Sequence, residues 1–157
     1  MSSGRFGRIT VAIDGSPNAT QALDEAIDLA KTYQSELTIL AVSPFVPIYM
    51  PTAGPYVTTE AAASELPRYQ HLVDTAVKKA EDAGVVSVTG LCVEGVVVDE
   101  ILSYLELHPS NLVVVGSRGL SATKRLLIGS VSGALVNHAP CPVLVVRVPP
   151  VTKNVPG

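Results

Sequence analysis

Short apolar runs rich in β-branched residues alternate along this chain with segments whose apolar residues recur at helical spacing, and few folds accommodate that alternation. Arg8 to Ile13 (RITVAI) reads as a first strand. Ser16-Pro17 then offers a helix start, with Ser as N-cap and Pro at the first helical position, where its missing N–H would be unpaired anyway. Ala19, Leu23, Ala26, Ile27 and Ala30 form one apolar stripe on a helix from Pro17 to about Gln34. Glu36 to Val42 reads as a second strand. Leu66, Tyr69, Leu72, Val73, Ala76, Val77 and Ala80 predict a helix over Glu65 to Ala83, ended by Gly84. Val86 to Val93 is a third strand, and Val96 to Leu107 a helix stopped by His108-Pro109. Leu112 to Val115 is a fourth strand, Ser130 to Asn137 a short helix and Pro142 to Arg147 a fifth strand, before an irregular Pro-rich tail over 148–157.

Strands separated by helices pair in parallel, with the helices packed on both sheet faces. The near-continuous apolar runs fit strands buried on both sides. The expectation is therefore a single α/β domain over residues 1–157, a Rossmann-like open parallel sheet of five strands. Ligands of such sheets sit beyond the C-terminal strand ends, where the strand order reverses. Two loops compete for that place: Asp14-Gly15-Ser16 after the first strand, and the glycine loop after the fourth.

Composition narrows the partners. Hydrophobic residues make up 47% and charged residues 16%, a globular balance for a chain of 157 residues. A net charge of −3 argues against general affinity for nucleic acid. No apolar run approaches a membrane span, and MSSGRFGR is followed by no signal-peptide core, so the expected location is cytoplasmic. Cys92 and Cys141 form no CxxC pair and read as reduced, core-lining thiols. His71, His108 and His138 lack the spacing of a metal cluster, and His138 suits the end of the short helix.

Chemistry concentrates between Asn111 and Arg147. Gly116 and Gly119 flank two residues, nine more intervene, and Gly129-Ser130 opens a helix. A strand feeding a glycine loop and then a helix N-terminus is suited to holding phosphate, because the backbone approaches closely and the first-turn N–H groups are unpaired. Arg118, Lys124 and Arg125 add cations in or near the loop. The P-loop, the dinucleotide fingerprint and the nucleophile elbow are all absent.

The G-x2-G-x9-G-(S/T) spacing, the first strand ending Val11-Ala12-Ile13-Asp14-Gly15-Ser16, and the closing His138-Ala139-Pro140-Cys141-Pro142-Val143-Leu144-Val145-Val146-Arg147 together resemble the ATP-binding branch of the universal stress protein family. The resemblance covers almost the whole chain. It implies a strand order of 3-2-1-4-5 and an adenine-nucleotide site built from Ala12, Asp14, Ser16, Val42, Gly116, Ser117, Arg118, Gly119, Gly129, Ser130, Val131 and Ser132. It implies ATP as ligand, with AMP or cyclic AMP as alternatives, and Mg²⁺ carried with ATP against Asp14. Asp14 before Gly15 is also a turn-forming pair, and Val42 by residue type alone is an ordinary core valine. A homodimer through Val143 to Val146 and an unknown protein partner complete the picture. Rival readings are a slow ATPase and a nucleotide-free interaction module.

Two segments depart from pattern. Glu94-Gly95-Val96-Val97-Val98 gives a helix start only Gly95 as cap, and three valines cannot share one helix face. Ser43 to Ser64 is long, apolar and broken by four prolines, so it reads as a lid or a partner-docking loop.

Overall fold

The computed structural model describes residues 4–44, 65–118 and 129–148. Within them the order is β1 (Arg8–Ile13), α1 (Pro17–Tyr33), β2 (Glu36–Pro44), α2 (Glu65–Asp82), β3 (Ser87–Gly95), α3 (Val97–Leu107), β4 (Leu112–Gly116), α4 (Ser130–His138) and β5 (Val143–Val146). The sheet has five strands in the order β3-β2-β1-β4-β5, and every pairing is parallel. The chain runs outward from β1 to β3, then returns to the other side of β1, so the switch point lies between β1 and β4.

Alternation along the strands divides the interior in two. Ile9, Val11, Leu37, Ile39 and Val114 face α1 and α2, whose Leu23, Ile27, Tyr69 and Val73 fill the first core. Ala12, Leu40, Val42, Val113 and Val115 face α3 and α4, where Ile101, Leu105 and Leu135 fill the second. The central strands β1 and β4 are buried on both faces, while the edge strands β3 and β5 are mostly half-buried or exposed. The reading of the strands as buried on both faces holds at the centre and weakens at β3 and β5, each of which has a paired strand on one side only among the described residues.

Helix ends follow the sequence signals closely. The Ser16 side chain accepts from the Ala19 N–H at 3.2 Å as N-cap of α1, with Pro17 next in line. Gln34 closes α1 in the left-handed conformation at φ 53°, and the Ser35 N–H bonds back to the Ala30 carbonyl at 2.9 Å. Past α2, Gly84 takes a positive φ and the Val85 N–H returns to the Ala80 carbonyl. That closure leaves Val86 outside β3 and 94% exposed.

Strand ends differ more. β2 and β3 run on to Pro44 and Gly95, beyond the expected Val42 and Val93, because they pair with each other after β1 has stopped. The pairing of β1 with β2 ends at Ile13 and Ala41. β2 therefore overhangs β1 by three residues, Val42 to Pro44, at the C-terminal edge of the sheet. Helix α3 starts at Val97 with Val96 as an N-cap lacking any side-chain bond, rather than with Gly95 as cap. Val96 is 58% exposed while Val97 and Val98 are half-buried, in keeping with three valines that cannot share a face.

Candidate functional site

At the switch point the β1 and β4 loops meet. Asp14 accepts the Ser16 N–H on Oδ1 at 2.9 Å, and Gly15 takes φ +85°, a conformation open to glycine at little steric cost. This tight turn delivers the chain into α1. Across the crevice, the buried Ser16 hydroxyl reaches the Arg118 carbonyl at 3.4 Å, tying one loop to the other.

Gly116 ends β4 against the first turn of α1. A Cβ there would lie 2.7 Å from the Asn18 backbone carbon and 2.9 Å from the Ala19 nitrogen. The first glycine of the signature is thus required by strand-to-helix packing, whatever the loop binds. The Gly129 N–H donates to the Ser117 carbonyl, and the Ser132 hydroxyl donates to the same oxygen at 3.0 Å and lies 3.2 Å from the Gly129 carbonyl. These bonds fold the start of α4 back onto the end of β4. Gly129 has an ordinary φ of −71°, so its constraint is space: a Cβ would meet the Ser117 oxygen at 3.0 Å.

The N-terminus of α4 differs from that of α1. Gly129 caps it without a side-chain bond, and the first intrahelical bond is from the Gly133 N–H to the Gly129 carbonyl. The N–H groups of Ser130, Val131 and Ser132 precede that bond, so the positive end of the helix dipole lies at the crest of the sheet. Ser130 is exposed there, and Val131 is partly buried against the second core.

The residues read from the sequence therefore divide by role. Asp14, Arg118, Gly129, Ser130 and Val131 lie at or beside the crest. The Ser16 and Ser132 hydroxyls are already committed to cap and clamp, which leaves the Ser132 backbone N–H as that residue's polar group at the helix start. Ser117 is buried and supplies the carbonyl that anchors α4. Ala12 and Val42 are buried in the α3–α4 core. Val42, beyond the reach of β1 pairing, is level with Asp14 when the register is extended by one residue. Gly119, Lys124, Arg125 and residues 45–64 of the long loop lie outside the described residues.

Both thiols are free and half-buried, Cys92 against the first core and Cys141 against the second. The sheet between them prevents a disulfide. Burial raises both pKa values; Asp74 adds to the effect at Cys92, and a backbone hydrogen bond near Val113 opposes it at Cys141. A cavity of about 340 Å³ lies at the opposite end of the sheet, lined by Arg8, Thr10, Glu36, Thr38, Tyr104 and His108 among others. Its hydroxyls are paired with one another, Thr10 with Ser110 at 2.7 Å and Tyr104 with Thr38 at 3.3 Å, and it contributes nothing to the crest.

The arrangement defines a doubly wound α/β protein with its crevice at the switch point. The sequence model of the Universal stress protein family matches residues 5–147, and the chain belongs to that family. It is 34% identical over 157 aligned positions to Universal stress protein YxiE of Bacillus subtilis (strain 168), covering 90% of this chain and 99% of that one. Among solved structures it is similar to the universal stress protein UspA from Lactobacillus plantarum, at 27% identity and a TM-score of 0.83, covering 92% of this chain and all of the other. It also shares its fold with a universal stress protein in complex with cAMP, at 23% identity and a TM-score of 0.69, covering 91% and 98%. Among the described residues, no helix is long and apolar enough to cross a membrane.

Proposed function

We propose that this protein binds an adenine nucleotide, ATP in preference to AMP or cyclic AMP, in the crevice between the β1 and β4 loops. The observation that carries the reading is the start of α4: a helix N-terminus with no side-chain cap, clamped to the end of β4 and tied through Arg118 and Ser16 to the Asp14 turn. Its N–H groups suit phosphate oxygens, and the intact G-x2-G-x9-G-(S/T) spacing supports a polyphosphate. The cAMP held by a protein of the same fold supports the adenine nucleotide. Asp14 presents a hard carboxylate that fits Mg²⁺, which would neutralise phosphate charge. No P-loop accompanies the site, so ATP acts as a ligand whose occupancy alters partner binding, with slow hydrolysis at most. A homodimer through the β5 edge and a cytoplasmic location belong to the same reading.

The test is mass spectrometry of whatever the purified protein releases on denaturation, followed by calorimetric titration with ATP, AMP and cyclic AMP. The expected result is saturable ATP binding with weaker AMP and cyclic AMP binding. A folded protein that binds none of the three overturns the reading.

A further inference from the structure

On the sheet face that packs against α3 and α4, the N-terminal end is polar where the C-terminal end is core. The register pairs Arg8 with Glu36 and Thr10 with Thr38, and Thr38 in turn with Thr89 of β3. By strand alternation these residues share a face with Ala12, Leu40 and Leu91, which belong to the second core. Thr10 is the one polar residue between Ile9 and Ile13 of a central strand, and it is 1% exposed. Cross-strand threonine pairs stabilise a sheet by themselves. Thr10 and Thr38, however, border a cavity of about 340 Å³, within the range of about 300–1,000 Å³ usual for small-molecule sites.

Bonds between segments distant in sequence hold the lining in place. Asn111 accepts the Arg8 N–H on Oδ1 at 2.8 Å and returns its own N–H to the Arg8 carbonyl at 2.8 Å. The Thr10 and Ser110 hydroxyls lie 2.7 Å apart, and the Tyr104 hydroxyl donates to Thr38 at 3.3 Å. The His108 ring stacks on Tyr104, with centroids 4.5 Å apart and 15° between the planes, so the phenol is braced at the end of α3. A hydroxyl has one donor and two acceptor sites, so the bonds joining these four hydroxyls occupy only part of their capacity. Arg8 and Glu36 form an exposed ion pair at 3.4 Å, and their opposite charges cancel. Leu107, exposed at the end of α3, adds apolar surface to the lining.

We propose that this cavity binds a small neutral polyhydroxylated molecule, a monosaccharide or a cyclic polyol. The proposal is independent of the nucleotide reading, because the cavity lies at the opposite end of the sheet from the crest. Four hydroxyls that each donate and accept match a ligand made of the same groups. The cancelled charge of Arg8 and Glu36 gives no preference for an ionic ligand, while guanidinium and carboxylate still stand side by side as donor and acceptor for neighbouring ligand hydroxyls. Tyr104 and Leu107 offer apolar surface to the C–H groups of a ring. A few convergent polar groups set beside such surface are what fixes a small ligand's orientation.

The test is a titration of the isotopically labelled protein with D-glucose and with myo-inositol, followed by amide NMR, with glycine and acetate as ionic comparators. At least one of the two polyols should produce saturable shifts at millimolar concentration at the amides of Thr10, Thr38, Leu107 and Ser110, leaving those of Asp14 and Ser130 unmoved. Tyr104→Phe, which keeps the ring and removes only its hydroxyl, should weaken that binding by about three- to tenfold, and Thr38→Val by a similar factor. Shifts that stay linear with concentration and spread over the whole surface overturn the inference, since they report solvent change and not a site. Tighter binding of glycine or acetate than of either polyol overturns the assignment to a neutral ligand. Wild-type affinity in a folded Tyr104→Phe overturns the site itself.

Discussion

The Ser132 hydroxyl donates to the Ser117 carbonyl, fifteen positions earlier in sequence, at 3.0 Å, and so fixes where α4 begins relative to the end of β4. The Gly129 N–H shares the same acceptor. Ser132→Ala should cost about 0.5–1.5 kcal/mol of stability for one lost neutral hydrogen bond. It should also weaken ATP binding, because the helix start is less firmly held. Urea denaturation and calorimetry measure the two effects, and unchanged values in both would show that the Gly129 bond suffices.

The two described glycines of the signature should separate by stability. A Cβ on Gly116 runs into the backbone of α1, which cannot yield as a flexible side chain can, so Gly116→Ala should destabilise by about 1–3 kcal/mol. At Gly129 the backbone is already ordinary, and the entropy removed from the unfolded chain by Ala, about 0.4–1 kcal/mol, offsets the tight contact with Ser117. Gly129→Ala should therefore melt near the wild type and lose affinity for ATP. Equal destabilisation by both variants would contradict this division.

Asp14 has a turn to hold as well as a charge to offer. Asp14→Asn keeps an acceptor for the Ser16 N–H and removes the carboxylate. It should leave stability near wild type and lower ATP affinity roughly tenfold to over a hundredfold, the worth of a charged hydrogen bond of about 1.5–3 kcal/mol. The loss should be larger with Mg²⁺ present. Asp14→Ala should add a stability loss of about 0.5–1.5 kcal/mol from the broken turn. Unchanged affinity in Asp14→Asn would confine Asp14 to the turn.

The β5 edge offers a substitution that spares the sheet. The Pro142 carbonyl accepts from Val113 of β4 and the Val146 carbonyl from Ser117 just past its end, so by the period of two Val145 directs its N–H and carbonyl away from β4. Val145→Pro removes an edge-facing donor and leaves the β4 ladder in place. If two copies pair through this edge, light scattering at micromolar concentration should show a shift from dimer toward monomer. A wild-type monomer, or a fully dimeric variant, would direct attention to the exposed Val96 instead.

Burial disfavours the thiolates of Cys92 and Cys141, so at neutral pH each is a weaker nucleophile than a free cysteine. Alkylation by iodoacetamide at pH 7 should be slower than for a model thiol and accelerate on unfolding. Labelling of the native protein at the model rate would show that the thiols are not screened.

Local sequence signals were sufficient for the element order, the parallel pairing, the cap of α1 and the closure of α2, whereas α3 starts from Val96 and not from the expected Gly95. Ser16-Pro17, Gly84 and the alternation of Leu37, Ile39 and Ala41 with Leu40 and Val42 are local signals, readable because backbone geometry imposes periods of 3.6 and 2 on whichever residues must be buried. The glycine signature and the Asp14 turn were legible for the same reason, as short-range chemistry. The strand order was an expectation from family resemblance until the pairing of β1 with β4 supplied it. Only the tertiary structure showed that Gly116 is held by Asn18, that Ser132 clamps Ser117, that β2 overhangs β1, and that Ser43 alone among the described residues is buried with an unpaired side-chain polar atom. Each of those facts is set by chain segments distant in sequence. Gly116 and Asn18 are nearly a hundred positions apart, and no residue type or spacing records which backbone will arrive at van der Waals distance once both cores have packed.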